Sequence, residues 1–103
     1  DLAAARGTAV LAAADGVVRT AGSHKSYGNY VRILHADGDE TLYAHMQYLF
    51  VRAGERVTAG QTLGTVGQTG NATGPHLHFE LLHAGVRYDP TRALAKAGLQ
   101  AEP

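Results

Sequence analysis

The segment Thr73-Gly74-Pro75-His76-Leu77-His78-Phe79-Glu80 holds the densest chemistry in the sequence. On a strand, side chains two residues apart share a face. His76 and His78 therefore project together, and Leu77 and Phe79 turn the other way, toward a core. Two neutral imidazoles side by side on a rigid element suit a metal site. They also suit an arrangement in which one ligates and the other handles protons. The same spacing describes two surface histidines on a half-exposed strand, and the segment by itself does not choose between these readings.

A further histidine, His45, ends the run Thr41-Leu42-Tyr43-Ala44-His45. Alternation groups Thr41, Tyr43 and His45 on one face and Leu42 and Ala44 on the other, inward one. Read locally, His45 is an ordinary strand-edge residue; pairing between its strand and the His76 strand would bring it close to His76. Asp1 is an acid at the start of the chain, before an Ala-rich stretch. His24, His35 and His83 sit in polar, loop-like surroundings and read as solvated. Asn29, after Tyr27-Gly28, reads as a turn residue.

The elements that must position these groups are short and β-like. Thirteen glycines punctuate the chain, separating the runs Val10–Ala12, Gly16–Ala21, Tyr30–His35, Glu40–Met46, Thr62–Val66, His76–Leu82 and Val86–Tyr88. This spacing predicts a mainly antiparallel β-sheet or sandwich. Asp37-Gly38 marks a tight hairpin, and Asp15-Gly16 marks a turn joining the first two runs. Gly67, Gly70 and Gly74 punctuate a loop from Gly67 to Pro75, beside His76. One short C-terminal helix is expected from Asp89 as N-cap, Pro90 at the first helical position and Gly98 after Ala93–Ala97. Gln100–Pro103 reads as a frayed tail.

Composition narrows the function. At 103 residues, a single domain spanning 1–103 is expected. Nine basic residues cancel nine acidic ones, so nucleic-acid binding lacks its usual electrostatic drive. No apolar run approaches the length of a membrane span. There is no cysteine, which removes thiol catalysis, Cys-ligated zinc and disulfide scaffolds. The chain begins at Asp1 without a signal peptide or initiator methionine, which reads as a fragment or processed product.

Taken together, the motifs resemble the lysostaphin/LytM-type zinc endopeptidases that cut peptidoglycan cross-links. The likeness runs from about Asp1 to Arg92. It includes Gly7-Thr8-Ala9-Val10 and Ala13-Ala14-Asp15-Gly16-Val17-Val18, the latter matching a hairpin. Tyr27-Gly28-Asn29-Tyr30-Val31, Thr41-Leu42-Tyr43-Ala44-His45-Met46, Gly60-Gln61-Thr62-Leu63-Gly64 and Gly67-Gln68-Thr69-Gly70 follow in order. The His-x-His segment closes the series. Gly-Pro-His-x-His-Phe-Glu after Tyr-Ala-His is the specific part.

The resemblance implies one Zn2+ held by a His, an Asp four residues later and the second His of the pair. On that basis Asp1 and His78 are metal ligands, and the first His would lie four residues before Asp1, outside this chain. His45 and His76 match the two histidines that act on water and on the developing oxyanion. It further implies that the sheet forms an open groove, with the Gly67–Pro75 loop as one wall, a peptidoglycan peptide substrate, an extracytoplasmic setting and a bacterial or phage origin. A degenerate relative that binds and activates a cell-wall amidase is the competing expectation. Retention of Asp1, His45, His76 and His78 favours the enzyme over it. The stretch Val51–Gly64 also resembles biotinyl and lipoyl carrier domains, but Lys25 and Lys96 do not stand where a carrier needs its lysine.

Overall fold

The computed structural model describes residues 2–69, 74–83 and 86–88. Its regular elements are β1 (Leu2–Ala3), β2 (Ala9–Leu11), β3 (Gly16–His24), β4 (Gly28–Leu34), β5 (Asp39–Leu49), β6 (Arg56–Val57), β7 (Thr62–Val66), β8 (His76–His83) and β9 (Val86–Tyr88). The described residues contain no helix, and so none long and apolar enough to cross a membrane. The helix expected near Asp89–Ala97 and the tail at 100–103 lie outside the described residues. All strand pairings are antiparallel, in agreement with the fold class read from the sequence.

Strands β3, β4 and β5 form a meander. The Asp37-Gly38 turn joins the last two, with Gly38 at φ 88° and His35 N–H donating to Asp39 O at 2.8 Å. That left-handed backbone suits glycine, which has no Cβ to clash. The Asp15-Gly16 junction differs from the expected hairpin. It leads from β2 into β3, but β2 pairs with β7 whereas β3 pairs with β4 and β6.

The spine is β5. One edge pairs with β4. The other edge forks, its Asp39–Ala44 half pairing with β8 and its Met46–Leu49 half with β7. Tyr43 and Phe79 meet across the β5–β8 ladder with ring centroids 5.4 Å apart, in an edge-on arrangement within the core. Leu77, Met46, Leu63 and Ile33 complete this apolar side. Leu42 and Ala44, expected to face inward, instead share the opposite face with Glu80 and His78, their ladder partners. Tyr43 takes the inward position because its ring fills the core while its hydroxyl finds polar partners.

Those partners form a closed chain. Ala13 N–H donates to Tyr43 Oη at 2.9 Å, and Tyr43 Oη and Thr41 Oγ1 lie 2.8 Å apart. Thr41 Oγ1 lies 2.8 Å from His35 Nε2, and His35 Nδ1 lies 2.7 Å from Asp15 O. A carbonyl oxygen only accepts, so His35 donates through Nδ1 and accepts through Nε2. Each hydroxyl then donates once and accepts once. His35 is thus a buried, fully bonded histidine, which corrects the expectation that it is solvated. Burial pushes the Tyr43 hydroxyl pKa above its ordinary value.

Candidate active site and metal centre

Strand β8 places its histidines as alternation requires. Leu77 and Phe79 are buried in the core, and His76 and His78 share the other face. His45 reaches that face by an irregularity. It has φ 61°, the one positive φ among the described non-glycine residues. On β4, Val31 pairs with Tyr43 and Asn29 with Met46, so β5 holds one extra residue across this interval. The bulge falls where β5 changes partner from β8 to β7. Two backbone bonds pin it: His45 N–H donates to Tyr27 O at 2.7 Å, and Gly67 N–H donates to His45 O at 3.0 Å. A bulge shifts the side-chain parity of everything after it. His45 therefore leaves the side of Tyr43 and joins His76 and His78, with ring centroids 4.9 Å and 6.0 Å away.

The rings are held in defined orientations. His45 Nδ1 lies 2.6 Å from Thr69 O, and His76 Nδ1 lies 2.8 Å from Gly74 O. Because each partner is a carbonyl, the Nδ1 proton is the one donated, and Nε2 is the basic nitrogen of the neutral ring. Thr69 is itself fixed by Asn29 N–H, which donates to Oγ1 at 3.0 Å, and by its own hydroxyl donating to Met46 O at 2.7 Å. Asn29 Nδ2 adds a bond to Gln47 O at 3.2 Å. Asn29 thus belongs to β4 and ties the Thr69 loop to β5 beside His45, which replaces its reading as a turn residue.

His78 is oriented differently. Its Nε2 lies 2.6 Å from Glu80 Oε2, and Tyr27 Oη donates to the same oxygen at 3.2 Å. The Tyr27 ring stacks on His78 at 6.0 Å and 22°. Tyr30 and His24 continue this aromatic cluster at 5.6 Å and 5.0 Å from Tyr27. Sequence reasoning gave Glu80 and Tyr27 no role. The signal for Glu80 was present, since residue i+2 from His78 shares its face. Tyr27 comes from the distant β3–β4 hairpin and had no local signal.

Burial of the His45 ring holds its pKa below the ordinary 6.5. The bond to Thr69 O opposes this shift, and the neighbouring His76 and His78 reinforce it. His45 is therefore neutral near pH 7, with Nε2 able to take a proton. Asp1 lies outside the described residues. Among the described residues alone, no three metal-binding side chains form a ready cluster.

A forked antiparallel sheet thus carries three oriented imidazoles on one face, His45 from β5 and His76 and His78 from β8. The family model "Peptidase family M23" matches residues 1–90, and the chain belongs to that family. It is 48% identical over 90 residues to the peptidoglycan DD-endopeptidase ShyC of Vibrio cholerae, covering 87% of this chain and 21% of ShyC. It is 40% identical over 95 residues to the murein hydrolase activator NlpD of Escherichia coli, covering 91% of this chain and 25% of NlpD. Among solved structures, lysostaphin from Staphylococcus simulans superposes with TM-score 0.86 at 34% identity, over 92% of this chain and 42% of lysostaphin. The chain thus spans about a fifth to a quarter of the length of these two curated relatives.

Proposed function

We propose that this domain is a zinc-dependent endopeptidase that hydrolyses peptide cross-links of bacterial peptidoglycan, acting outside the cytoplasm. The observation that carries this reading is the convergence of His45, His76 and His78 on one face through the β5 bulge. Retaining a non-glycine residue in left-handed backbone costs free energy, and such strain concentrates at functional sites.

The donor set fits zinc. With no cysteine in the chain, the ligands that this chain supplies must be imidazole and carboxylate, which catalytic zinc sites use. Asp1 and His78 are the residues of this chain that would hold it. Bound zinc supplies Lewis acidity, which polarises a scissile carbonyl and makes water acidic enough to attack near neutral pH. His45 and His76 then handle protons at Nε2. His45 is kept neutral by burial and serves as the acceptor. His76, once protonated, donates toward the oxyanion or the departing amine. The Thr69 and Gly74 carbonyls keep both rings turned so that Nε2 does this work.

The likeness to NlpD supports a second reading, a domain that activates a cell-wall amidase without cleaving a bond itself. Incubating the full-length protein with purified peptidoglycan separates the two. Cleaved cross-links that vanish on chelation and in His78→Ala support the enzyme. Intact cross-links together with stimulated amidase activity support the activator.

A further inference from the structure

We propose that Glu80 is a positioning residue for His78. In this role it holds the Nε2 proton, so that Nδ1 is the nitrogen offered to the metal. This rests on the reading of His78 as a zinc ligand.

Three observations carry it. Glu80 is 4% exposed, on a strand face where an unpaired carboxylate would be costly. Its Oε2 lies 2.6 Å from His78 Nε2, a short separation of the kind charge-assisted bonds show. Tyr27 Oη donates to the same oxygen and the Tyr27 ring stacks on the imidazole, so carboxylate and ring are held from two directions. An imidazole that gives Nε2–H to a carboxylate carries its lone pair on Nδ1. Metal-ligating histidines regularly have their second nitrogen engaged in this way, which fixes the tautomer and raises ligand basicity. His78 differs in this respect from His45 and His76, whose Nδ1 atoms bond to carbonyls and whose basic nitrogen is Nε2. The two kinds of partner thus divide the three histidines into one ligand presenting Nδ1 and two proton carriers presenting Nε2.

The test is zinc affinity of the full-length protein, measured by competition with a chromophoric chelator, with the visible spectrum of the Co2+-substituted protein as a second readout. Glu80→Ala is expected to weaken zinc binding by about 10–100-fold and to alter the cobalt spectrum. Glu80→Leu, which keeps the volume, is expected to do the same should the alanine variant not fold. Glu80→Gln keeps an oxygen that accepts the Nε2 proton and is expected to recover most of the affinity. A merely structural ion pair would lower thermal stability in Glu80→Ala or Glu80→Leu and leave zinc affinity at the parental value. That result, with zinc binding lost in His78→Ala, overturns the role of Glu80. Parental zinc affinity in His78→Ala overturns the ligand reading itself.

Discussion

His45 and Tyr43 stand two residues apart on β5 and face opposite sides of the sheet. Tyr43 packs on Phe79 in the core, and His45 packs beside His76. The left-handed backbone at His45 produces this reversal, and it comes where β5 exchanges β8 for β7. A left-handed conformation costs an L-residue about 1–2 kcal/mol relative to its right-handed alternatives, and glycine escapes most of that cost. In the metal-free protein, His45→Gly is therefore expected to be more stable than His45→Ala by about 1 kcal/mol. Urea denaturation of the two variants checks this, and an alanine variant equal to or above the glycine one would mean that the bulge is unstrained.

The division of labour among the histidines makes a separate claim. His45 and His76 orient their Nε2 atoms by bonds to backbone carbonyls, and in the proposed mechanism neither holds zinc. His45→Ala and His76→Ala are expected to retain stoichiometric zinc while cross-link cleavage falls by about 10²–10⁴-fold, the usual weight of a positioned acid or base. Metal analysis after dialysis, paired with product chromatography, reads both quantities. Zinc loss in either variant would move that residue into the ligand set.

The lowered pKa of His45 gives stability a pH dependence whose sign follows from linkage. The unfolded chain takes up a proton near the ordinary value of 6.5, and the folded chain does so only at lower pH. Below 6.5 the unfolded state therefore binds more protons, and stability falls as pH falls. The loss ends once pH passes the folded value. Denaturation midpoints of the metal-free protein between about pH 7.5 and about pH 5 should drop more in the parent than in His45→Ala. Parallel curves would show that His45 is not held neutral by the fold.

Much of this was legible in the residue order. Strands Thr62–Val66 and Val86–Tyr88 run where the sequence places them, and the shared face of His76 and His78 follows from strand parity. The short β1 and β6, two residues each, offer too little pattern to read. His45 was grouped with Tyr43 because alternation presumes an unbroken strand, and a bulge is set by its partner strands. The burial of His35 depends on Asp15 and Thr41 converging on one ring, which local polarity cannot reveal. Leu42 and Ala44 look like core residues by type, yet they lie under the histidine face because Tyr43, with its hydroxyl bonded, is the better core filler.

The fork that creates the bulge also has a steric condition at Gly64, whose backbone faces β5 just beyond His45. A Cβ there would stand 2.0 Å from Tyr48 O and 2.6 Å from Met46 Cε. Neither neighbour yields easily, since one is backbone within the β5–β7 pairing and the other is a fully buried side chain. Gly64→Ala should therefore force β7 away from β5, at a cost of about 1–3 kcal/mol or more. Displacing β7 would also disturb the nearby Gly67 N–H bond to His45 O, so cleavage should fall along with stability. Gly22, on β3, is the control. A Cβ there meets nothing within 4 Å, and Gly22→Ala should stay within about 0.5 kcal/mol of the parent or gain slightly. Thermal unfolding of the two variants decides the matter, and a Gly64→Ala protein as stable as Gly22→Ala would show that β7 is not clamped against β5.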